Sequence, residues 1–296
     1  MKKLVLLSLI VGAACQSDTR NIERRLDEIN KKLDAIAQAR PGAAAAQPRQ
    51  QRPEPDRSKT YAVPIDNDPF DGAADAKITL VKAYDYACGY CERVRSTMED
   101  LKKKYGSDLR IVYKQLVIHP KQAMVGALAF CAAGKQGKAR EMDQLIWDKG
   151  FNARQFDLTD VPAAPAEKPN DPQQPGQAGQ TMKCWDHPDG CKNVSGFAQE
   201  LGLNMDKFKA DMKGECQTII GNDGRQLAQF GLSSTPSFFV NGRFISGAQQ
   251  LEVFSTLIDE ELKKANERIA AGTPAASYYQ QWVLDKGLKA LEAPKQ

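Results

Sequence analysis

The residues best equipped for chemistry are Cys88 and Cys91, separated only by Gly89 and Tyr90. A thiolate at Cys88 can attack a foreign disulfide, and a second thiol one helical turn on can resolve the mixed disulfide that forms. Two elements must position the pair. Ahead of it, Lys77 to Tyr84 (KITLVKAY) is rich in β-formers and mostly apolar, which predicts a central strand. Behind it, Glu92 to Tyr105 carries Val94, Met98 and Leu101 at helical spacing. The pair therefore sits where a strand turns into a helix. Unpaired N–H groups and the helix dipole at such a turn favour negative charge on Cys88.

A C-x-x-C is also half of a zinc site or a plain structural bridge. Zinc needs two further ligands, and the chain has two histidines, His119 and His187. The candidate partners Cys184, His187 and Cys191 do not form a second C-x-x-C, so the strand–helix setting favours redox chemistry with no metal and no cofactor. His119 precedes Pro120 at a strand-to-helix junction and reads as structural.

Lys and Arg number 41 against 37 Asp and Glu, a balance that creates no strong field for nucleic acid. Residues 1–14 read as an export signal: Lys2 and Lys3, an apolar run from Leu4 to Val11, then Gly12-Ala13-Ala14. The run is too short to span a bilayer as a helix. Cleavage there would lower the formal charge from +4 to +2, since two lysines and no acid are lost. Cys15 directly follows the small residues and resembles a bacterial lipoprotein processing site, although Gly12 stands where that signal usually has Leu. Simple secretion is the alternative. Lipidation of Cys15 would account for the odd one of seven cysteines. Export places the chain in the periplasm or cell envelope, where disulfides persist.

Residues 15–40 read as a helical stalk. Ile22, Leu26, Ile29, Leu33 and Ile36 follow 4, 3, 4, 3 spacing, a heptad seam over residues 18–39. Leu at a and Ile at d lean towards a homotrimer or tetramer, whereas a run under three heptads also suits a helix packed on its own domain. Arg40-Pro41 ends it, and residues 41–60 form a polar linker rich in Ala, Gln, Arg and Pro.

The remaining chain alternates elements. Tyr61 to Ile65 reads as an edge strand, Asp66 to Asp75 as a turn-rich loop, and Leu109 to Leu116 as a second buried strand parallel to the first. Helices are expected over Gln122 to Ala133, Ala139 to Lys149, Val194 to Leu201, Asp206 to Lys213 and Gln217 to Phe230. Phe156 to Thr181 reads as a surface loop or disordered insert. Ser234 to Ile245 predicts a hairpin around Asn241-Gly242, followed by a long amphipathic helix, Gln249 to Ala270. A final helix, Ala275 to Leu291, is anchored by Tyr278, Trp282 and Leu288.

A C-x-x-C after a central strand, an inserted helical block, and then Thr235-Pro236-Ser237-Phe238-Phe239-Val240-Asn241-Gly242 together resemble the DsbA-like thiol–disulfide oxidoreductases. The resemblance implies an α/β thioredoxin fold over residues 61–272 with a helical insertion at about 118–231. The stalk precedes that domain, and a C-terminal helix occupies 273–296. It further implies that Pro236 is cis, lies against Cys88 and Cys91, and with Thr235 holds an extended substrate chain by strand-like hydrogen bonds. Relatives often bridge the insertion, which pairs Cys131 with Cys216. Cys184 and Cys191 flank a turn-rich hexapeptide and read as a local bridge. Many relatives carry a buried acid six residues before the first Cys, where this chain has Lys82, so that acid's role is not carried over. Lys82 either lowers a Cys pKa by proximity or snorkels to the surface.

The resemblance implies substrates with cysteines, unfolded or exported, and a membrane redox partner. The Gly-Tyr dipeptide and the stalk resemble DsbC-type isomerases, whereas the insertion resembles oxidases, so the direction stays open. A reading of another class is an envelope chaperone or scaffold that uses the same cleft without turnover.

Overall fold

The computed structural model describes residues 21–35, 54–65, 68–163 and 181–292. The expected signal, Cys15 and most of the linker lie outside them. The chain divides into two units, Met1–Arg52 and Pro53–Gln296. In the first, residues 21–35 form helix α1, on which Ile22, Leu26, Ile29 and Leu33 are 53–58% exposed. Ile36, the last member of the seam, lies outside the described residues.

The second unit is built on a five-stranded sheet of β1 (Phe70–Gly72), β2 (Ile78–Tyr84), β3 (Leu109–Gln115), β6 (Ser237–Val240) and β7 (Arg243–Ser246). Its order is β1-β3-β2-β6-β7, with β2 and β3 parallel and the other pairs antiparallel. All seven residues of β2 are buried, as expected of a strand covered on both faces. Alternation sends Ile78 and Leu80 to the side of α3 (Arg95–Tyr105) and α9 (Leu251–Ala270), where Met98, Leu101, Phe254 and Ile258 meet them. Val81 and Ala83 face a second layer with Tyr61, Leu227, Phe230 and Phe239. By the same alternation Lys82 points to the α3 side.

Between β3 and β6 lies the helical insertion: α4 (Pro120–Gly134), α5 (Ala139–Leu145), α6 (Lys192–Glu200), α7 (Met205–Lys213) and α8 (Glu215–Gln229). Ten residues of α4 are buried, six of them alanine or glycine, so the other helices pack close around it. A disulfide joins Cys131 on α4 to Cys216 on α8 and closes 85 residues. A second joins Cys184 to Cys191 and closes only 7. On a chain-entropy basis the long closure stabilises by about 4–5 kcal/mol and the short one by about 2.

Several elements differ from the sequence reading. Tyr61 to Ile65 is not an edge strand: Tyr61 donates its N–H to Gly242 and Ala62 donates to Leu288, leaving only a Tyr61–Leu288 bridge. The edge strand beside β3 is β1, inside the stretch read as loop. The hairpin turn has Asn241 at φ 42° and Gly242 at φ 84°, and a Cβ at Gly242 would meet Tyr61 O at 2.5 Å. The active-site helix is broken by Val94, buried in the core, into α2 (Gly89–Arg93) and α3. Helix α5 runs into a π-helical turn, Ile146–Asn152, and the expected loop contains β4 (Asp160–Pro162) paired with β5 (Thr181–Lys183). The C-terminal helix is reduced to two short turns, Ala275–Ser277 and Tyr279–Leu284. At Gly287 the backbone passes so close to Ala62 that a Cβ would meet its nitrogen at 2.8 Å, and Leu288 is spent on the bridge to Tyr61.

Candidate active site

Strand β2 ends at Tyr84, and Cys88 follows as the N-cap of α2, with extended backbone at φ −93° and ψ 113°. Cys91 lies one turn into the helix and is wholly buried, whereas Cys88 keeps 7% of its surface. Both are free thiols. The N–H groups of Cys91 and Glu92 bond to the Cys88 carbonyl, which seats Cys88 at the first turn.

The environment splits the two thiols apart. A hydrogen bond from the Cys91 thiol, against an opposing burial cost, holds Cys88 down at about 5. The N–H groups of Cys91 and Tyr90 add to it. Burial pushes Cys91 far up, and the neighbouring Cys88 pushes the same way. At neutral pH the arrangement is an outer thiolate and an inner thiol, the pattern of a nucleophile and a resolving group.

The third component comes from the other end of the domain. The Thr235–Pro236 peptide is cis, and the Thr235 carbonyl oxygen lies 3.3 Å from Cys88 Sγ. The Thr235 hydroxyl is buried with no partner among the described residues. Cys88, Cys91, Thr235 and Pro236 thus converge. Cys131, Cys216, Cys184 and Cys191 are all bonded in the insertion, and the two last have no thiolate left for zinc.

Two acids went unnoticed in the sequence. Asp85 is fully buried and accepts the N–H groups of Ala87, Ile118 and His119 at 2.7–2.8 Å. Its carboxylate ties the active-site loop to the loop after β3. His119, half exposed, rests its Nδ1 3.3 Å from the same carboxylate. Asp143, on α5, accepts from Tyr86 Oη at 2.6 Å and Trp147 Nε1 at 3.1 Å. An acid three residues before a C-x-x-C is a usable signal for Asp85; nothing local in the sequence marks Asp143.

Lys82 does not snorkel. It is 2% exposed, with its ammonium 4.6 Å from the centre of the Tyr84 ring and 5.6 Å from that of Tyr113. Burial lowers its pKa, while Asp143 and Cys91 raise it. In turn its charge eases ionisation of Cys91, though far less than burial opposes it.

Comparison with known proteins agrees with this geometry. The thioredoxin family profile matches residues 65–260. Among curated proteins, the Na(+)/H(+) antiporter NhaA of Herminiimonas arsenicoxydans is 28% identical over 191 residues, 64% of this chain and 24% of the antiporter. NhaA 1 of Salinispora arenicola is 28% identical over 204 residues, 66% of this chain and 25% of that protein. The chain thus spans about a quarter of the length of the curated relatives it matches, and among the described residues no helix is long and apolar enough to cross a membrane. Among solved structures, alpha-DsbA1 of Wolbachia pipientis superposes with a TM-score of 0.50 at 15% identity, covering 70% of this chain and 96% of that one. A thioredoxin-like oxidoreductase from Silicibacter pomeroyi is 22% identical, with a TM-score of 0.44, over 70% and 95% of the two chains. The chain belongs to the thioredoxin family and has the fold of its DsbA-like thiol–disulfide oxidoreductases.

Proposed function

We propose that this protein is an exported thiol–disulfide oxidoreductase that acts on cysteines of envelope or secreted proteins through Cys88 and Cys91. The observation that carries the reading is the convergence of two free thiols, Cys88 at the helix N-cap and Cys91 one turn in, beside the cis Thr235–Pro236 peptide. In the oxidised form a substrate thiolate attacks Cys88 Sγ, the Cys88–Cys91 bond breaks, and Cys91 leaves and takes up a proton. A second substrate thiolate then attacks the substrate sulfur of the mixed disulfide, and Cys88 leaves as a thiolate. Two electrons pass from the substrate pair to Cys88 and Cys91, and the substrate gains a disulfide. A leaving thiol of low pKa departs faster and stabilises the reduced enzyme, which supports the oxidase direction over the isomerase. Thr235 and Pro236 hold the substrate chain beside Cys88.

The periplasm or cell envelope is the proposed compartment, with Cys15 as lipid anchor and a membrane redox partner restoring the disulfide. The uncovered seam of α1 supports a homo-oligomer.

Glutathione equilibration with thiol trapping tests the reading. A potential near or above about −130 mV marks a disulfide donor, and one of about −180 mV or lower an isomerase or reductase. A pair that never cycles, in a protein that still holds unfolded chains after Cys88→Ser, would leave the chaperone reading in its place.

A further inference from the structure

A cavity of about 900 Å³ lies between the active-site helix and α5, outside the thiol site. That volume is within the range of small-molecule sites. Its walls are partly apolar, with Tyr113, Phe130 and Met98, and Arg95 and Arg140 also line it. Those two arginines already hold acids: Arg95 pairs with Asp148 at 2.9 Å and Arg140 with Glu99 at 3.6 Å.

Two charged groups in the cavity are different. Lys82 is almost wholly buried, and among the described residues its ammonium makes no hydrogen bond and no ion pair, meeting only the faces of Tyr84 and Tyr113. Asp143 is only partly buried and borders the cavity. Both of its hydrogen bonds fall on Oδ1, and Oδ2 receives none from a described residue. The two groups feel one another electrostatically without pairing. Burial pushes the Lys82 ammonium down and the Asp143 carboxyl up, as it does for charges with no counter-ion in contact. A buried charge is normally paired, so Lys82, with the open Oδ2 of Asp143 on the wall of the same cavity, fits a ligand that carries both missing charges.

We propose that this cavity binds a free α-amino acid, its carboxylate on Lys82, its ammonium on Asp143 Oδ2 and its side chain against Tyr113, Phe130 and Met98. Lys82 and Asp143 line one cavity without forming an ion pair, and a carboxylate and an ammonium on one carbon can bridge two such groups. A lone anion would leave Asp143 unmatched, and a lone cation would leave Lys82 unmatched.

The test is calorimetric titration of the full chain with glycine, L-leucine and L-phenylalanine, beside hydrocinnamate and phenethylamine, which each lack one charge of phenylalanine. Fluorescence of Trp147, whose indole N–H bonds to Asp143, gives a second readout. At least one amino acid should bind at one per chain. If it is phenylalanine, each half-ligand should bind about tenfold or more weakly, as expected for a lost charge-assisted bond. Lys82→Met and Asp143→Asn should weaken amino-acid binding by a similar factor. Should those variants fail to fold, Met98→Trp, which fills the cavity, should block binding in their place. Absence of heat with all three amino acids overturns the proposal, as does equal binding of the half-ligands or binding that survives the variants.

Discussion

Cys88 and Thr235, 147 residues apart, meet at 3.3 Å from thiol sulfur to carbonyl oxygen. The sheet makes this contact. Strands β2 and β6 are antiparallel with Ala83 opposite Ser237, so the segment leaving β2 and the segment entering β6 lie at the same end. The nucleophile is thereby set beside a backbone acceptor, at the place where a substrate strand would pair.

The low Cys88 pKa has a pH signature. The reduced protein should show thiolate absorbance and rapid alkylation titrating near 5. The folded pKa lies below the unfolded one of 9.0, so the stabilisation of the reduced fold is complete above 9, shrinks as pH falls, and is gone below about 5. Chemical denaturation of reduced wild type against Cys88→Ser between those limits checks it. A difference that does not change with pH would contradict the thiolate assignment. Cys91→Ala removes the thiol hydrogen bond that holds Cys88 down, so Cys88 should titrate higher, and mixed disulfides with substrate should accumulate.

Much of this site was legible because its parts carry short-range signals. Cys88 and Cys91 announce themselves by spacing, and Thr235-Pro236 by the hairpin that follows. The illegible parts depend on contacts between distant segments. Tyr61 to Ile65 has strand-forming residues, but its N–H groups are taken by Gly242 and Leu288, which no local pattern encodes. Val94 fits the helical period and still breaks the helix. Asp143 lies 52 residues beyond Cys91 in a helix whose own pattern is unremarked, and only the packing of the insertion brings it to Lys82 and Tyr86.

A second buried charge group should set part of the pH dependence of stability. Lys114 Nζ lies 2.6 Å from Asp68 and 2.8 Å from Asp223, all three nearly solvent-free. Burial, and then the Asp223 charge, raise Asp68 to about 7 against the pull of Lys114. The folded pKa exceeds the unfolded 3.8, so this contribution is fully present below about 4 and lost as pH rises through about 7. Asp68→Asn should flatten the stability profile across that window. Lys114→Met, which leaves two buried carboxylates together, should cost about 3–5 kcal/mol at neutral pH. Denaturant titrations at several pH values read both.

Asp85 should behave as a strut for the active-site loop. Its carboxylate accepts three backbone N–H groups from two loops, and Asp85→Ala strands all three donors. A loss of about 3 kcal/mol is expected, with faster amide exchange at Ala87, Ile118 and His119. Asp85→Asn keeps an acceptor oxygen and should lose less. Equal losses in the two variants would mean that the charge, and not the hydrogen-bond geometry, matters.

The exposed seam of α1 leads to the last prediction. Ile22, Leu26, Ile29 and Leu33 stand on one helical face, each more than half exposed, at the period of a coiled coil. Water is a poor environment for four large aliphatic side chains in a row, and a second or third copy of the same helix presents a matching face. Sedimentation of the full chain should give a multimer, and Leu26→Asp with Ile29→Asp should return it to a monomer. Because α1 is remote in sequence from Cys88, the Cys88 titration should not move in that variant. A wild-type protein that sediments as a monomer at micromolar concentration would remove the self-association and leave α1 as a single amphipathic helix.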